Sequence, residues 1–395
     1  MQPFESGAPA PDLPADSPAA MQTRVTAARE ALVGASMPSW EEEVWRYSPI
    51  DDLDLGQYEI AESAPAVSAP AGVQVDVGGD ADAAQLGSII GDRTDVFVQM
   101  NDAYGLNPIV ITVGANTDIA EPVVITHHMM SGGTAVFPRV FVDLGANSSL
   151  NVAELYSSED GVAGFFAPVV EFRCADAARL GYLQVQDLGP DVWMVGRQHS
   201  TVGAQGTFSS GAAAFGGRYA RARVDCDLAG RGSTGNLGAI YFGDGEQTLD
   251  FRTFQEHIAA DTTSNLLFKG VLDDKSKSIY SGLIRVGNDA RGTNAFQTNR
   301  NIKLSEDAWA ESVPNLEIET NDVKCSHAST VGPIDEEQLF YLESRGVPTS
   351  DAERLVVAGF FEEVIESAPM ALLADQLRSR IAEKLSSHLA QEVSA

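Results

Sequence analysis

Between about residues 94 and 323, the chain is a succession of short β-prone runs separated by turn-forming residues. The clearest runs are 96–98, 109–111, 123–125, 140–142 and 169–170, and each is bounded by Gly, Asn, Asp or Pro. Their spacing is close to the roughly 8–12 residues expected of all-β architectures. Long amphipathic helical windows are missing here, which argues against βαβ units and a doubly wound sheet. The sequence therefore predicts a mainly β core.

Two patterns within this stretch indicate which β architecture is formed. From Ala220 to Leu228, every even position is small or apolar and every odd position is charged, so one face of the strand is expected to be buried and the other wet. Segments 111–116 and 142–147 both place Gly-Ala-Asn after a β-prone run. Such self-similarity favours stacked coils of a right-handed parallel β-helix, with a β-sandwich as the open alternative.

The N-terminal flank is predicted to be partly disordered and partly helical. Residues 1–20 are rich in Pro, Ala, Ser and Asp, which is typical of a disordered leader. A helix is expected from about Met21 to Ala35, and the Ala-, Pro- and Ser-rich stretch 62–72 is expected to be a linker. The predicted N-terminal helical region and linker therefore span 21–93, and the β-helix core spans 94–323.

The C-terminal flank, 324–395, is predicted to be a helical domain. Helix starts are indicated by Asp335, by the capping box Ser350–Glu353 and by Pro369. The last helix carries apolar residues at four-residue intervals, which favours packing against the core, with docking to a partner as the alternative. This apolar stripe comprises Leu373, Leu377, Ile381, Leu385 and Leu389.

The charge balance limits the partners of this chain. With 26 basic and 56 acidic residues, the formal net charge is −30, which disfavours nucleic acid and anionic membrane surfaces. No window approaches the roughly 18 apolar residues that a spanning helix needs. The first residues have neither the basic start nor the apolar stretch of a secretory signal, so we expect a cytoplasmic protein with no membrane partner.

The cysteines and histidines provide one candidate metal-binding pair. Cys174 and Cys226 share the parity of buried positions and are expected to be core residues. Cys325 and His327 lie two residues apart, so an extended backbone would place both on one face, roughly 7 Å apart. That spacing suits two ligands of a metal or cluster. The structural alternative, a cysteine packed in the core and a histidine that caps a carbonyl, is favoured by the spacing alone.

Other chemistry-bearing motifs are missing. His127 and His128 would point to opposite faces of a strand, and His199 and His257 have no neighbours at ligand spacing. The chain contains no Gly-Lys dipeptide and hence no phosphate-binding loop, so we expect it to bind no nucleotide itself. Three scattered cysteines also cannot supply the about four ligands of a self-contained cluster. Any cluster or ATP chemistry would need a partner chain.

The stretch from Val313 to Gly346, which contains Cys325 and His327, closely resembles the SufB/SufD family of the SUF iron–sulfur cluster assembly system. Residues 45–47, Trp-Arg-Tyr, resemble the N-terminal signature of the same family. The resemblance implies a β-helix scaffold that is not itself an enzyme. It also implies a SufB-like paralogue and a SufC-like ABC ATPase as partners, the latter docked on the C-terminal helical domain. Apo iron–sulfur proteins would receive the clusters indirectly.

Within this family, the SufD type is the better match. The position of a cysteine implicated in cluster assembly in SufB is occupied by Asn299, and Ala328 stands where SufB has a glutamate after the histidine. By resemblance, His327 would face the SufB cysteine across the interface, with Cys325 nearby and a transient iron–sulfur cluster between the subunits. Flavin binding is left open. The alternatives are a β-helix polysaccharide lyase or hydrolase, or the SufB paralogue itself.

Overall fold

The protein is a mainly β solenoid with helices towards both ends. The computed structural model describes residues 13, 17–78, 84–91 and 94–392. The solenoid has about eight turns, and two sheets supply its walls. Apolar side chains from both sheets meet in its interior, including Ile111 of one sheet and Val123 of the other. The mainly β, parallel-solenoid prediction is confirmed. The predicted leader, 1–20, lies largely outside the described residues, although Ala19 already begins a helix.

The regular elements are as follows. The N-terminal region contains α1 (Ala19–Leu32), β1 (Glu59–Ala61), β2 (Ala66–Ser68), β3 (Gln74–Val77) and α2 (Val96–Tyr104). The solenoid contains β4 (Ile109–Val113), β5 (Val123–Met129), β6 (Thr134–Val136), β7 (Arg139–Leu144), β8 (Ser149–Ser158), β9 (Gly164–Phe166), β10 (Val169–Cys174), β11 (Arg179–Asp187), β12 (Val192–Val202), β13 (Thr207–Ala214), β14 (Tyr219–Leu228), β15 (Thr234–Gly243), β16 (Thr248–His257), β17 (Thr263–Leu272), β18 (Lys277–Val286), β19 (Thr293–Lys303), β20 (Trp309–Ile318) and β21 (Val323–Pro333). The C-terminal helices are α3 (Glu336–Glu343), α4 (Thr349–Ile365) and α5 (Ala374–Glu392).

The chain alternates between the two sheets, so each solenoid strand pairs in parallel with a strand one turn away. The first sheet runs in the order β3-β4-β7-β10-β12-β14-β16-β18-β20, and the second in the order β2-β5-β8-β11-β13-β15-β17-β19-β21. At the N-terminal end, β2 and β3 pair antiparallel with β5 and β4. The linker prediction for 62–72 is therefore wrong at 66–68, which form a strand. Without β2, the backbone N–H and C=O groups of β5 would lie unpaired at the edge of the sheet, and pairing with β2 satisfies them.

The first predicted β run, 96–98, is also wrong, because these residues begin α2. The side chain of Asp95 accepts hydrogen bonds from the backbone N–H groups of Phe97 and Val98, which is the geometry of a helix N-cap. Both apolar side chains are still buried. A run of three apolar residues does not distinguish a buried strand from the first turn of a buried helix.

The alternating strand β14 is covered on one face and partly covered on the other. Cys226 and Leu228 are buried in the solenoid, as predicted, but Arg221 and Asp225 on the opposite face are also buried. A 3-10 turn near residue 44 covers this face. The Arg221 guanidinium donates to the Val44 carbonyl and lies 3.8 Å from the centre of a tryptophan ring in the same turn. The expectation of a wholly wet charged face is therefore wrong.

The C-terminal boundaries differ from the predicted ones. Strand β21 continues the solenoid to Pro333, because it pairs with β19 along its whole length, so 324–333 belong to the β core. Asp335 caps α3 through the N–H groups of Glu337 and Gln338, as predicted. Helix α4 begins beside Pro348 without a side-chain cap, so the predicted capping box is not formed.

The apolar stripe of the last helix packs against the rest of the protein. Leu377, Ile381 and Leu385 are buried in a cluster with α4 and with residues of the second sheet such as Val271. The prediction of core packing is therefore confirmed for these three residues, which are not available as a docking surface, whereas Leu373 and Leu389 are half-buried. None of the described helices is long and apolar enough to cross a membrane.

Glu171 of β10 ties the N-terminal region to the first sheet. Its fully buried carboxylate accepts hydrogen bonds from the Arg139 guanidinium and from the backbone N–H groups of Gly87, Ile89 and Ile90. Burial alone would raise the pKa of this carboxyl, but the Arg139 charge and the three backbone donors outweigh burial and lower it. The ionised form is thus the one that the fold stabilises.

We predict that Glu171→Gln lowers the free energy of unfolding by about 2–3 kcal/mol near neutral pH, because it removes the ionised acceptor of the buried Arg139 guanidinium and leaves Asp102 as its ion-pair partner. Because the folded pKa is depressed, this stabilisation is present above the unfolded pKa and is lost as the pH falls through the folded one. Urea denaturation at neutral and acidic pH would measure the difference in free energy of unfolding between the wild type and the variant, which should be smaller at acidic pH. Glu159→Gln, at an exposed carboxylate, is the control, and an equal effect in both variants would contradict the prediction.

Candidate functional site

Cys325 and His327 lie at the C-terminal end of the solenoid, on its last strand. Strand β21 pairs with β19 in parallel register, with Cys325 opposite Ala295 and His327 opposite Gln297. Ala295 and Gln297 are buried, so both candidate residues share the inward-facing parity at this end. Cys325 is half-buried and His327 is exposed. Since β20 and β21 are the last strands of their sheets, we call them the open edge.

The two residues have different surroundings. Cys325 packs against a small apolar cluster that includes Ile284 and Ala295. Burial raises the pKa of its thiol, and a hydrogen bond with the Ala295 backbone offsets this only in part. His327 makes no hydrogen bond or ion pair with any described residue, so it does not cap a carbonyl. The cysteine therefore fits the structural alternative, whereas the histidine is free to contact another molecule.

The other cysteines and histidines do not join this pair. Cys174 and Cys226 are buried, and burial raises the pKa of each thiol to about 12. His127 hydrogen-bonds to the buried carboxylate of Glu154 at 2.9 Å, while His128 lies on the opposite, exposed side. Among the described residues, no three His, Cys, Asp or Glu side chains are placed to hold a metal ion.

Exposed apolar side chains lie on the open edge and on the strand beside it. Four large hydrophobic residues of the last three strands are between 37% and 44% exposed, and we call them the edge patch: Phe296, Val313, Ile318 and Val331. Strand edges offer unpaired N–H and C=O groups to another chain. His327 and Val331 lie on β21, and Val313 and Ile318 lie on β20, so these exposed side chains belong to the strands whose outer backbone groups a second β chain can pair with, and Phe296 lies on the neighbouring strand β19.

A second apolar surface lies on the C-terminal helices. Phe340 and Tyr341 of α3 and Leu355 of α4 are 72%, 58% and 56% exposed, and we call them the helix patch. Beside it is a groove of about 970 Å³ between these helices and the outer face of the second sheet, with Lys269 and Arg300 in its wall. The four-residue periodicity of the sequence indicated α5 as the alternative docking surface, but Leu377, Ile381 and Leu385 of that helix are buried.

Comparison with protein families agrees with this architecture. The family model for the SUF system FeS cluster assembly SufBD core domain matches residues 127–360, which is more than half of the chain. The chain belongs to the SufBD family. The match covers most of the solenoid together with α3 and the first part of α4.

Several SufBD relatives are similar over most of their length. An iron–sulfur cluster assembly SufBD family protein of Mycobacterium tuberculosis strain H37Rv is 32% identical over 365 residues, covering 88% of this chain and 89% of the relative. The iron–sulfur cluster assembly protein SufD of Escherichia coli is 26% identical over 389 residues, with coverages of 90% and 91%. SufD of Bacillus subtilis is 31% identical over 278 residues, with coverages of 69% and 63%.

Asn299, which the resemblance to the family matched with a SufB cysteine, has a structural role in this SufBD protein. It is fully buried, donates to the Tyr241 hydroxyl at 2.9 Å and accepts a hydrogen bond from Asn301. The Tyr241 hydroxyl in turn donates to the Asn301 side-chain oxygen. Because this ring of hydrogen bonds satisfies buried polar groups, Asn299 is part of the solenoid interior.

Proposed function

We propose that this chain is the SufD-like scaffold subunit of a SufBCD-type complex that builds iron–sulfur clusters and passes them to apo-proteins. It pairs with a SufB-like paralogue through the open edge. A transient cluster, which is the cargo of the complex, forms at that interface. His327 contacts the cluster or its precursors there, and Cys325 lies beside it. The chain itself performs no catalysis and binds no nucleotide, and the complex works in the cytoplasm.

The observation that carries this proposal is His327, which is exposed on an edge strand and makes no hydrogen bond or ion pair with any residue that the structure describes. A neutral imidazole can ligate iron or accept a proton from an incoming thiol. One histidine and one half-buried cysteine are too few for a cluster, which is held by about four ligands. The remaining ligands would come from the paralogue, and pairing of strand edges would bring the two chains into register.

The helix patch supports the second partnership. Phe340, Tyr341 and Leu355 are exposed aromatic and aliphatic side chains beside a groove, the kind of surface that anchors protein partners. We propose that the SufC-like ATPase docks here. This placement replaces the apolar stripe of α5, which is buried.

Co-expression with SufB and SufC homologues tests the proposal. We expect the three proteins to co-purify, and the complex to contain iron and sulfide after reconstitution. The chain purified alone should be colourless and should hydrolyse no ATP. A stable brown protein formed by this subunit alone, or failure to co-purify with either homologue, would contradict the scaffold assignment.

A further inference from the structure

The outer face of the first sheet carries a cluster of four arginines and two buried carboxylates. Asp225 is fully buried and accepts from two guanidinium groups. Arg197 donates to it from the neighbouring strand at 2.6 Å, and Arg223 donates through Nε and Nη2 from the same strand. One carboxylate thus serves two arginines. Arg197 also has a second, more distant carboxylate beside it, that of Asp95, at 3.9 Å.

The same arrangement recurs one strand further on. Asp250 is fully buried, and it accepts from Arg221 at 2.9 Å and from Nε of Arg252 at 2.6 Å. Arg252 also donates through Nη2 to the Arg46 carbonyl. Four guanidinium groups therefore share two buried carboxylates, in a chain whose formal net charge is −30. Asp95 beside Arg197 and Glu43 in the same region bring the number of carboxylates to four, so positive and negative charges balance here, unlike in the chain as a whole.

A cavity of about 490 Å³ opens onto this cluster. Its lining combines Arg221, Arg223 and Arg252 with the apolar side chains of Phe254 and Leu283. Asp225 also lines the cavity, and Glu43 and Val44 form its rim on the N-terminal side. The volume lies within the range of small-molecule sites, which combine an apolar body with a few convergent polar groups.

Two arginines present unused donors to this cavity. Arg223 and Arg252 are directly opposite each other on neighbouring parallel strands, which places their backbones about 4.8 Å apart. Each uses Nε and Nη2 on a buried aspartate, and Nη1 of neither makes a hydrogen bond with a described residue. Each guanidinium is therefore held in place by its aspartate and keeps one edge for another acceptor. Paired guanidinium groups of this kind bind carboxylate or phosphate oxygens.

We propose that this cavity binds a small organic anion, with a carboxylate or phosphate on Arg223 and Arg252 and a flat apolar body against Phe254 and Leu283. Asp225 and Asp250 do not oppose binding, because their charges are already matched by the arginines that hold them. The site lies between the 3-10 turn at Glu43–Trp45 and the open edge, and Asn315 of β20 forms part of its lining. It is separate from Cys325 and His327, and the proposal does not depend on the role of those residues.

The test uses phenyl phosphate and benzoate as probes with the full chain, followed by NMR or calorimetric titration. We expect saturable binding of at least one of them. Phenol, which lacks the anionic group, and inorganic phosphate, which lacks the aromatic ring, should each bind at least tenfold more weakly. Equal binding of inorganic phosphate and phenyl phosphate would overturn the organic-anion assignment. Absence of saturable binding of both aromatic anions would overturn the site itself.

Variants locate the binding. Arg223→Gln should weaken binding of the preferred probe at least tenfold, whereas Arg231→Gln, an exposed arginine paired with Asp261 on a corner of the same solenoid, should not change it. Leu283→Trp fills the cavity without removing an arginine and should also abolish binding. Circular dichroism establishes that each variant is folded. Unchanged affinity in folded Leu283→Trp, or equal losses in Arg223→Gln and Arg231→Gln, would contradict the proposal.

Discussion

His327→Ala is expected to reduce the iron and sulfide content of the reconstituted complex to near background, while the subunit folds and pairs normally. The side chain is exposed and makes no hydrogen bond or ion pair within the described part of the chain, so its loss should change the free energy of unfolding by no more than about 0.5 kcal/mol. Alanine can neither ligate iron nor accept a proton. The measurements are melting temperature, co-purification with SufB and SufC homologues, and iron and sulfide content.

His128→Ala is the matched control, because that histidine is also exposed on the second sheet but lies at its other end, on β5. Cys226→Ala adds a control for a buried thiol. Both complexes should load iron normally, although Cys226→Ala will be less stable. Full iron loading in the His327→Ala complex would remove the functional assignment of this residue.

Charged substitutions in the two apolar patches are expected to separate the two partners. Val331→Asp, in the edge patch, should weaken pairing with the SufB-like paralogue at least tenfold, because an interface cannot bury the new carboxylate without a partner. Leu355→Asp, in the helix patch, should weaken binding of the SufC-like ATPase by a similar factor. Both side chains are substantially exposed, so neither change should unfold the isolated subunit.

Each variant is the control for the other. Pull-down and calorimetric titration with each partner separately should give one weakened and one unchanged interaction per variant. If Leu355→Asp impaired pairing with the paralogue and Val331→Asp impaired ATPase binding, the assignment of the two surfaces would be reversed. If neither variant affected either partner, both docking surfaces would be wrong.

Much of the fold was predictable because its pattern is local. Period-two alternation in 220–228, turn residues at regular intervals and the repeated Gly-Ala-Asn corner are properties of short segments, and stacking such segments produces a parallel solenoid. The same local logic placed Cys325 and His327 at alternate positions of one strand. Apolar parity also identified Cys174 and Cys226 as interior residues. The motif around residues 313–346 identified the family.

Other features depended on contacts between distant segments. Residues 96–98 form a helix that Asp95 caps, and Arg221 on the charged face of β14 is buried because a turn 177 residues earlier in the chain covers it. The apolar stripe of α5 is core rather than surface because it meets α4 and the second sheet. Periodicity shows which face of an element is apolar, but not what covers that face or leaves it open.

The candidate sites divide in the same way. Sequence alone selected Cys325 and His327, and its negative charge and missing phosphate-binding loop argued that nucleic acid and nucleotide are not ligands of this chain. Only the tertiary structure shows that His327 is exposed on an edge strand. Only it shows that four arginines, from three neighbouring strands, contact the same two buried carboxylates. The physical reason is that stacking brings residues about 30 positions apart into contact, whereas a linear pattern records only what is near in the chain.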